Sequence, residues 1–97
     1  MEKREEELRE KLKDVVDPEI GVSIMEMHLV DEVRIENNKA YITYHLTAPF
    51  CPPVFALHIG RNIKKVAMSM EGIDGVDVKL KDHVQAEDIN KMLESMA

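Results

Sequence analysis

Tryptophan is absent from the chain, and two tyrosines with two phenylalanines are its whole aromatic complement. The core must therefore be built from aliphatic and methionine side chains, and seven methionines are available. A single cysteine, Cys51, excludes an intramolecular disulfide and a cysteine-only metal site within one chain. Long apolar runs are missing too: none approaches the ~20 residues of a membrane span. The N-terminus, Met1-Glu2-Lys3-Arg4-Glu5-Glu6-Glu7, is too acidic for a signal peptide and has no apolar segment. Excess positive charge is also missing. The net charge is −6, which argues against general binding to nucleic acid or to an anionic membrane, since both need clustered cations. These absences lead to an expectation of a cytoplasmic protein with no nucleic-acid or membrane partner.

What is present suits a small globular protein. The 97 residues allow one domain, expected over 1–97, with one modest core. An apolar fraction of 44% beside a charged fraction of 33% describes a charged surface around that core, not disorder.

Residues 2–16 read as an amphipathic helix, with Leu8, Leu12, Val15 and Val16 at helical spacing. Glu5–Arg9 and Glu7–Lys11 are favourable pairs on the wet side. Pro18 disfavours helical geometry at Asp17, so the helix is expected to stop near Val16. Residues 17–28 show no clean period and read as an extended loop in which Met25 and Met27 pack inward. Residues 29–36 and 39–47 form a hairpin around Asn37-Asn38. A two-residue loop sets Val33 opposite Ile42, Ile35 opposite Ala40 and Leu29 opposite Leu46, with Asp31 facing Tyr44, so most aliphatics share one side.

Residues 52–71 read as a second helix with an apolar stripe of Ala56, Ile59, Ile63, Val66, Ala67 and Met70. Pro52 and Pro53 suit its first turn and Gly72 its C-terminal cap. Val76, Val78 and Leu80 alternate with charged residues as a third strand, and Ile89, Met92, Leu93 and Met96 mark a closing helix. The order α-β-β-α-β-α predicts an α+β fold, a two-layer sandwich. A small sheet containing the antiparallel hairpin would carry the helices on one face. Its open edge would allow a homodimer.

The stretch that can carry chemistry is Thr47-Ala48-Pro49-Phe50-Cys51-Pro52-Pro53. It joins a strand end to a helix start and puts Cys51 at or next to the N-cap. Unpaired amides and the partial positive charge of a first turn favour thiolate over thiol there. Pro49 and Pro52 stiffen both sides, and Thr47 can present its hydroxyl beside the sulfur. The competing reading is a buried cysteine acting as a small hydrophobe.

Two stretches carry a family resemblance. Asp17-Pro18-Glu19 followed by Ser23-Ile24-Met25-Glu26-Met27-His28-Leu29-Val30 resembles the pattern DPE…NIVDLGLV. Thr47-Ala48-Pro49-Phe50-Cys51-Pro52 resembles a T-x-P-x-C-P signature. Together they resemble the SufT/PaaD-like iron–sulfur cluster assembly domain from about residue 8 onwards. The resemblance implies a cluster-assembly or target-maturation factor, not an enzyme. Such a factor works with scaffold or P-loop carrier proteins and with apo-protein clients. It implies that Cys51 is the reactive thiol, supported by Thr47, Pro49 and the acidic residues Asp17 and Glu19 of the DPE turn. The chain departs from the pattern at Ser23 (usually Asn), Glu26 (usually Asp), His28 (usually Gly) and Asp31 (often aromatic).

Each of His28, His45, His58 and His83 alone reads first as a surface or locally bonded residue. His28 falls by register beside Thr47, at the strand end leading to Cys51. If a metal binds, its expected ligand is therefore Cys51 with His28 or Glu26 as partner. One thiolate cannot hold an iron–sulfur cluster that takes four ligands. The expectation is no tightly bound cofactor, and a transient iron–sulfur cluster at most. The alternatives are a non-catalytic adaptor in maturing an oxygenase-type metalloenzyme and, further off, a thiol enzyme with His28 as base.

Overall fold

The computed structural model describes residues 3–17, 20–46 and 52–95. The elements run α1 (Lys3–Leu12), β1 (Val30–Glu36), β2 (Lys39–Tyr44), α2 (Pro53–Met68), β3 (Gly75–Leu80) and α3 (Ala86–Ser95). This is the expected order, and the chain is an α+β domain built on one three-stranded sheet, β1-β2-β3.

The hairpin turn follows from its asparagines. Asn37 and Asn38 sit at φ 50° and 67°, the left-handed backbone of a two-residue turn, which asparagine tolerates better than most residues. β1 then pairs antiparallel with β2 as the sequence predicts from Glu36–Lys39 to Glu32–Thr43. There the register slips, and Val30 faces Tyr44. Asp31 is the extra residue of a β-bulge, which displaces the expected Leu29–Leu46 and Asp31–Tyr44 pairings. A carboxylate on the core face would be costly; the bulge turns Asp31 out to bond His45 instead.

β3 joins β2 in parallel, from Lys39–Gly75 to Tyr44–Leu80. A parallel neighbour needs a crossover, and α2 supplies it. One sheet face buries Val33, Ile35, Ala40, Ile42, Tyr44, Val78 and Leu80 against the helices. The other presents Glu32, Arg34, Tyr41, Thr43, Asp77 and Lys79, with the Arg34 guanidinium 4.8 Å from the Tyr41 ring centre. Both sheet edges carry a helix side chain. The Glu5 carboxylate of α1 accepts the Ile35 N–H at 2.9 Å. Asn90 of α3 accepts from the Leu80 N–H at 2.7 Å and donates to its carbonyl at 3.1 Å, standing in for a neighbouring strand.

Three boundaries differ from expectation. α1 ends at Leu12, because the chain tightens through Asp14 N–H to Lys11 and Val15 N–H to Leu12 contacts. Val15 is buried, but Val16 is 41% exposed and bridges Ser23. α2 stops at Met68 with Ser69 as its C-cap, and Gly72 serves the following turn at φ 86°. Residues 23–28 are not extended. The Ser23 hydroxyl caps the Met25 N–H at 3.2 Å. The His28 N–H reaches Met25 O at 3.2 Å and the Leu29 N–H reaches Ile24 O at 3.0 Å. With His28 at φ 58°, this is a single helical turn closed by a Schellman motif, and its apolar pair Ile24 and Leu29 is buried. Met25 and Met27 do pack against the core.

Candidate functional site

The sequence places the chemistry between the end of β2 and the start of α2, and both stems of that connection are described. On the strand side, the Tyr44 carbonyl accepts the Lys81 N–H at 2.9 Å and the His45 N–H donates to Leu29 O at 2.9 Å. Leu46 is buried. On the helix side, Pro52 is the N-cap (φ −55°, ψ 138°) and Pro53 opens α2. Proline fits the first helical position because its missing N–H would have no helical acceptor there. Among the described residues no side chain caps this end, and no acidic residue stands in the first turn. The N-terminal partial charge of α2 is thus not offset from within its first turn. Pro52 and Val54 are exposed, Val54 at 65%.

Cys51 precedes the N-cap by one residue in sequence, and its own placement lies outside the described residues, as do those of Glu19, Thr47 and Pro49. The described members of the predicted set fall in one connected region. Asp17 is buried. Its N–H donates to Val22 O at 3.0 Å and its carbonyl accepts from Gly21 N–H at 2.8 Å, with Gly21 at φ 79°. The Ile24 N–H then bonds Val15 O at 2.9 Å, and Leu29 links this turn to His45. Backbone hydrogen bonds therefore run from the Asp17 turn through the 23–28 turn to the strand entering the Cys51 segment. Glu26 and His28 are both exposed on that turn. The family's usual glycine is explained by the backbone at His28, whose left-handed φ a glycine adopts without strain. The usual asparagine at position 23 is explained by capping, which serine also provides.

Sequence reasoning missed two groups. The first is Asp31–His45. His45 Nδ1 lies 2.8 Å from Asp31 Oδ2, while Lys81 Nζ is 3.7 Å from Oδ1. A carboxylate on Nδ1 fixes the neutral tautomer and leaves Nε2 as the acceptor. The bulge that creates this pair has no local sequence signal; only an acid at an apolar position of the strand hinted at it. The second is Tyr44, fully buried, whose hydroxyl donates to Ala56 O of α2 at 2.7 Å. Burial raises its phenol above the ordinary tyrosine value. Gly60, one turn further on, leaves the space: a Cβ there would stand 2.7 Å from the Tyr44 hydroxyl and 2.7 Å from Leu93 Cδ2.

Of the other histidines, His58 contacts Asn62 at 3.1 Å on the exposed side of α2, and His83 Nδ1 accepts the Gln85 N–H at 2.9 Å. Among the described residues no group of three or more His, Cys, Asp or Glu is placed to hold a metal ion. No described helix is long and apolar enough to cross a membrane.

Comparison with known proteins places this geometry in a family. An uncharacterized protein of Methanocaldococcus jannaschii, MJ1129, is 34% identical over 90 residues, covering 91% of this chain and 92% of that protein. A crystal structure of a domain of unknown function, DUF59, from Bacillus anthracis superposes with a TM-score of 0.71 at 32% identity. It covers 93% of this chain and 87% of the other. The family model described as iron–sulfur cluster assembly protein matches residues 5–80, from α1 to the last residue of β3, and the chain belongs to that family.

Proposed function

We propose that this chain is an accessory factor that helps assemble iron–sulfur clusters or deliver them to apo-protein clients, with Cys51 as its reactive group. The observation that carries the reading is the family match over residues 5–80, which takes in the Asp17 turn and the whole Thr47–Pro53 signature. The α2 N-terminus supports it, with no acid in its first turn and its N-cap next in sequence to Cys51. A thiolate there gains from the helix partial charge.

In this reading the cluster is cargo. One thiolate supplies one of four ligands, so the others come from a scaffold protein, a P-loop carrier or the receiving client. The chain acts by brief capture and hand-over, not by enzymatic turnover, and it works in the cytoplasm among such proteins. Asp17 and the 23–28 turn hold the strand side of the Cys51 connection. Thr47 and Pro49 are sequence neighbours of Cys51, and Glu19 comes to this set through the DPE motif that the family resemblance ties to it. Glu26 and His28 are offered to solvent, where a partner's metal centre can reach them. SufT/PaaD-like kinship follows from the two signatures.

The test is maturation of a cluster-dependent client with Cys51→Ala in place of the wild type. The expected result is loss of maturation by a variant that keeps its thermal midpoint. Full maturation by that variant rejects the role of the thiol. If the variant also still captures its clients, the chain is a non-catalytic adaptor instead.

A further inference from the structure

The helices cover one face of the sheet and leave the other bare, and the register gives that bare face a definite order. Across β1, β2 and β3 its residues stand in rows: Glu36–Lys39–Gly75, Arg34–Tyr41–Asp77 and Glu32–Thr43–Lys79. Tyr41 is at the centre, with the Arg34 guanidinium 4.8 Å and the Lys39 ammonium 5.3 Å from its ring centre. Arg34 lies 3.8 Å from Glu36. Among the described residues, Glu32, Asp77 and Lys79 have no ion-pair partner in their own chain.

A solvated sheet face needs no particular order of charge, yet this order is self-complementary. Two sheets packed face to face sit about 10 Å apart, with their strands within about 30° of each other. Their two-fold axis can run along β2 or across it. An axis along β2 sets β1 of one copy over β3 of the other, with the rows in step. Arg34 then faces Asp77 of the second copy and Glu32 faces its Lys79, each twice by symmetry, while the two Tyr41 rings meet on the axis. Lys39 meets its own copy there, between the Glu36 carboxylates of both chains. An axis across β2 sets Arg34 over Arg34, Asp77 over Asp77 and Glu32 over Glu36. Like charges set opposite each other are unfavourable, so the charges select the first arrangement. The sheet edges compete less, because Glu5 and Asn90 already hold backbone groups of β1 and β3 there.

We propose that the outer sheet face is a docking surface for a second copy of this chain, related by a two-fold axis along β2. Tyr41 forms its centre, and the Arg34–Asp77 and Glu32–Lys79 pairs form its rim. Three strands at about 4.8 Å and six residues at about 3.3 Å give a footprint of about 300 Å². That is well below the about 800 Å² per partner of a standard interface, so the dimer is weak and transient. Its ion pairs lie near solvent and are screened by salt. None of these residues enters the reading of Cys51 as the reactive group.

The experiment is sedimentation equilibrium of the full chain from about 20 µM to about 2 mM, a range suited to an interface this small, in low and in high salt. The wild type should gain mass with concentration towards the dimer, and less so in high salt. Arg34→Asp and Asp77→Arg should each weaken self-association at least about tenfold, since two facing pairs turn repulsive. An equimolar mixture of these two variants should associate about as strongly as the wild type, because each of those facing pairs is then opposite in charge again. Glu32→Lys and Lys79→Glu form a second such set with the same expectation. Arg61→Asp, the same charge change on the exposed side of α2, should keep the wild-type profile. Thermal melts establish that each variant retains the native fold. A wild type that stays monomeric to the highest concentration overturns the proposal, whether the face is merely solvated or serves a different protein. Association that Arg34→Asp weakens no more than Arg61→Asp, or mixtures that stay monomeric, overturn it as well and move the contact to another surface.

Discussion

Gly60→Ala sets two calculable effects against each other. In an unconstrained helix interior, alanine for glycine stabilises by about 0.8–1.0 kcal/mol. Here the new methyl would lie 2.7 Å from Leu93 Cδ2, 3.0 Å from Leu93 Cδ1 and 2.7 Å from the Tyr44 hydroxyl. Overpacking of a filled core costs about 1–3 kcal/mol. Pushing the phenol off Ala56 O leaves a buried donor unpaired, at about 1–3 kcal/mol. Sterics win, with a net loss of about 2–3 kcal/mol. For a domain of this size that lowers the thermal midpoint by roughly 10–20 °C. Urea denaturation and thermal melts monitored by far-ultraviolet circular dichroism read both quantities. A cycle with Leu93→Ala isolates the contact. That change alone costs about 2–5 kcal/mol, but in its background Gly60→Ala should be cheaper by about 1 kcal/mol or more. A Gly60→Ala protein as stable as the wild type would refute the notch between β2, α2 and α3, and the Tyr44–Ala56 hydrogen bond with it.

Other consequences follow from named contacts. Tyr44 is held neutral by burial, its phenol raised above the ordinary value of 10.0. The stability this carries is fully present below that value and is lost as pH rises through the folded-state value, at about 1.4 kcal/mol per pH unit. Tyr44→Phe should remove that part of alkaline unfolding, and an unchanged alkaline limb contradicts it. Asn90→Ala strips both Leu80 backbone groups of their partner. It should cost about 1–3 kcal/mol and promote association through the uncovered β3 edge, seen by sedimentation. A fully stable monomer counts against this edge closure. His28→Gly relieves a left-handed backbone at φ 58°. It should stabilise by about 0.5–1 kcal/mol once the extra chain entropy of glycine is subtracted, and a loss in the urea midpoint argues against that strain.

Much of this fold is written in local periodicity. The stripe Ala56, Ile59, Ile63, Ala67 defined α2, and Asn37-Asn38 fixed a two-residue turn and with it the register from Glu36 back to Glu32. The register beyond that point was not legible. The bulge at Asp31 is decided by a partner, His45, that lies across the sheet and is distant in sequence. The 23–28 turn escaped notice because a single turn has no period to detect. What defines it, a serine cap and a left-handed residue, looked like two departures from a motif. Gly60 carries no local sequence signal, since the reason for it is the Tyr44 hydroxyl arriving from β2. Asp17 was found by motif, and Glu26 and His28 as departures from it, His28 also by register; the structure joins their segments through backbone bonds without setting Glu26 or His28 into the interior. Cys51 was singled out by the signature around it; its own placement lies outside the described residues, while the proline-started helix expected after it is present.

The most direct measurement is anaerobic reconstitution with iron and sulfide, following visible absorption and native mass, for the wild type and Cys51→Ser in the presence of a P-loop carrier. The account predicts a cluster shared between the two proteins with wild type and none shared with the serine variant. Equal cluster sharing by both forms, or none by the wild type, would contradict it.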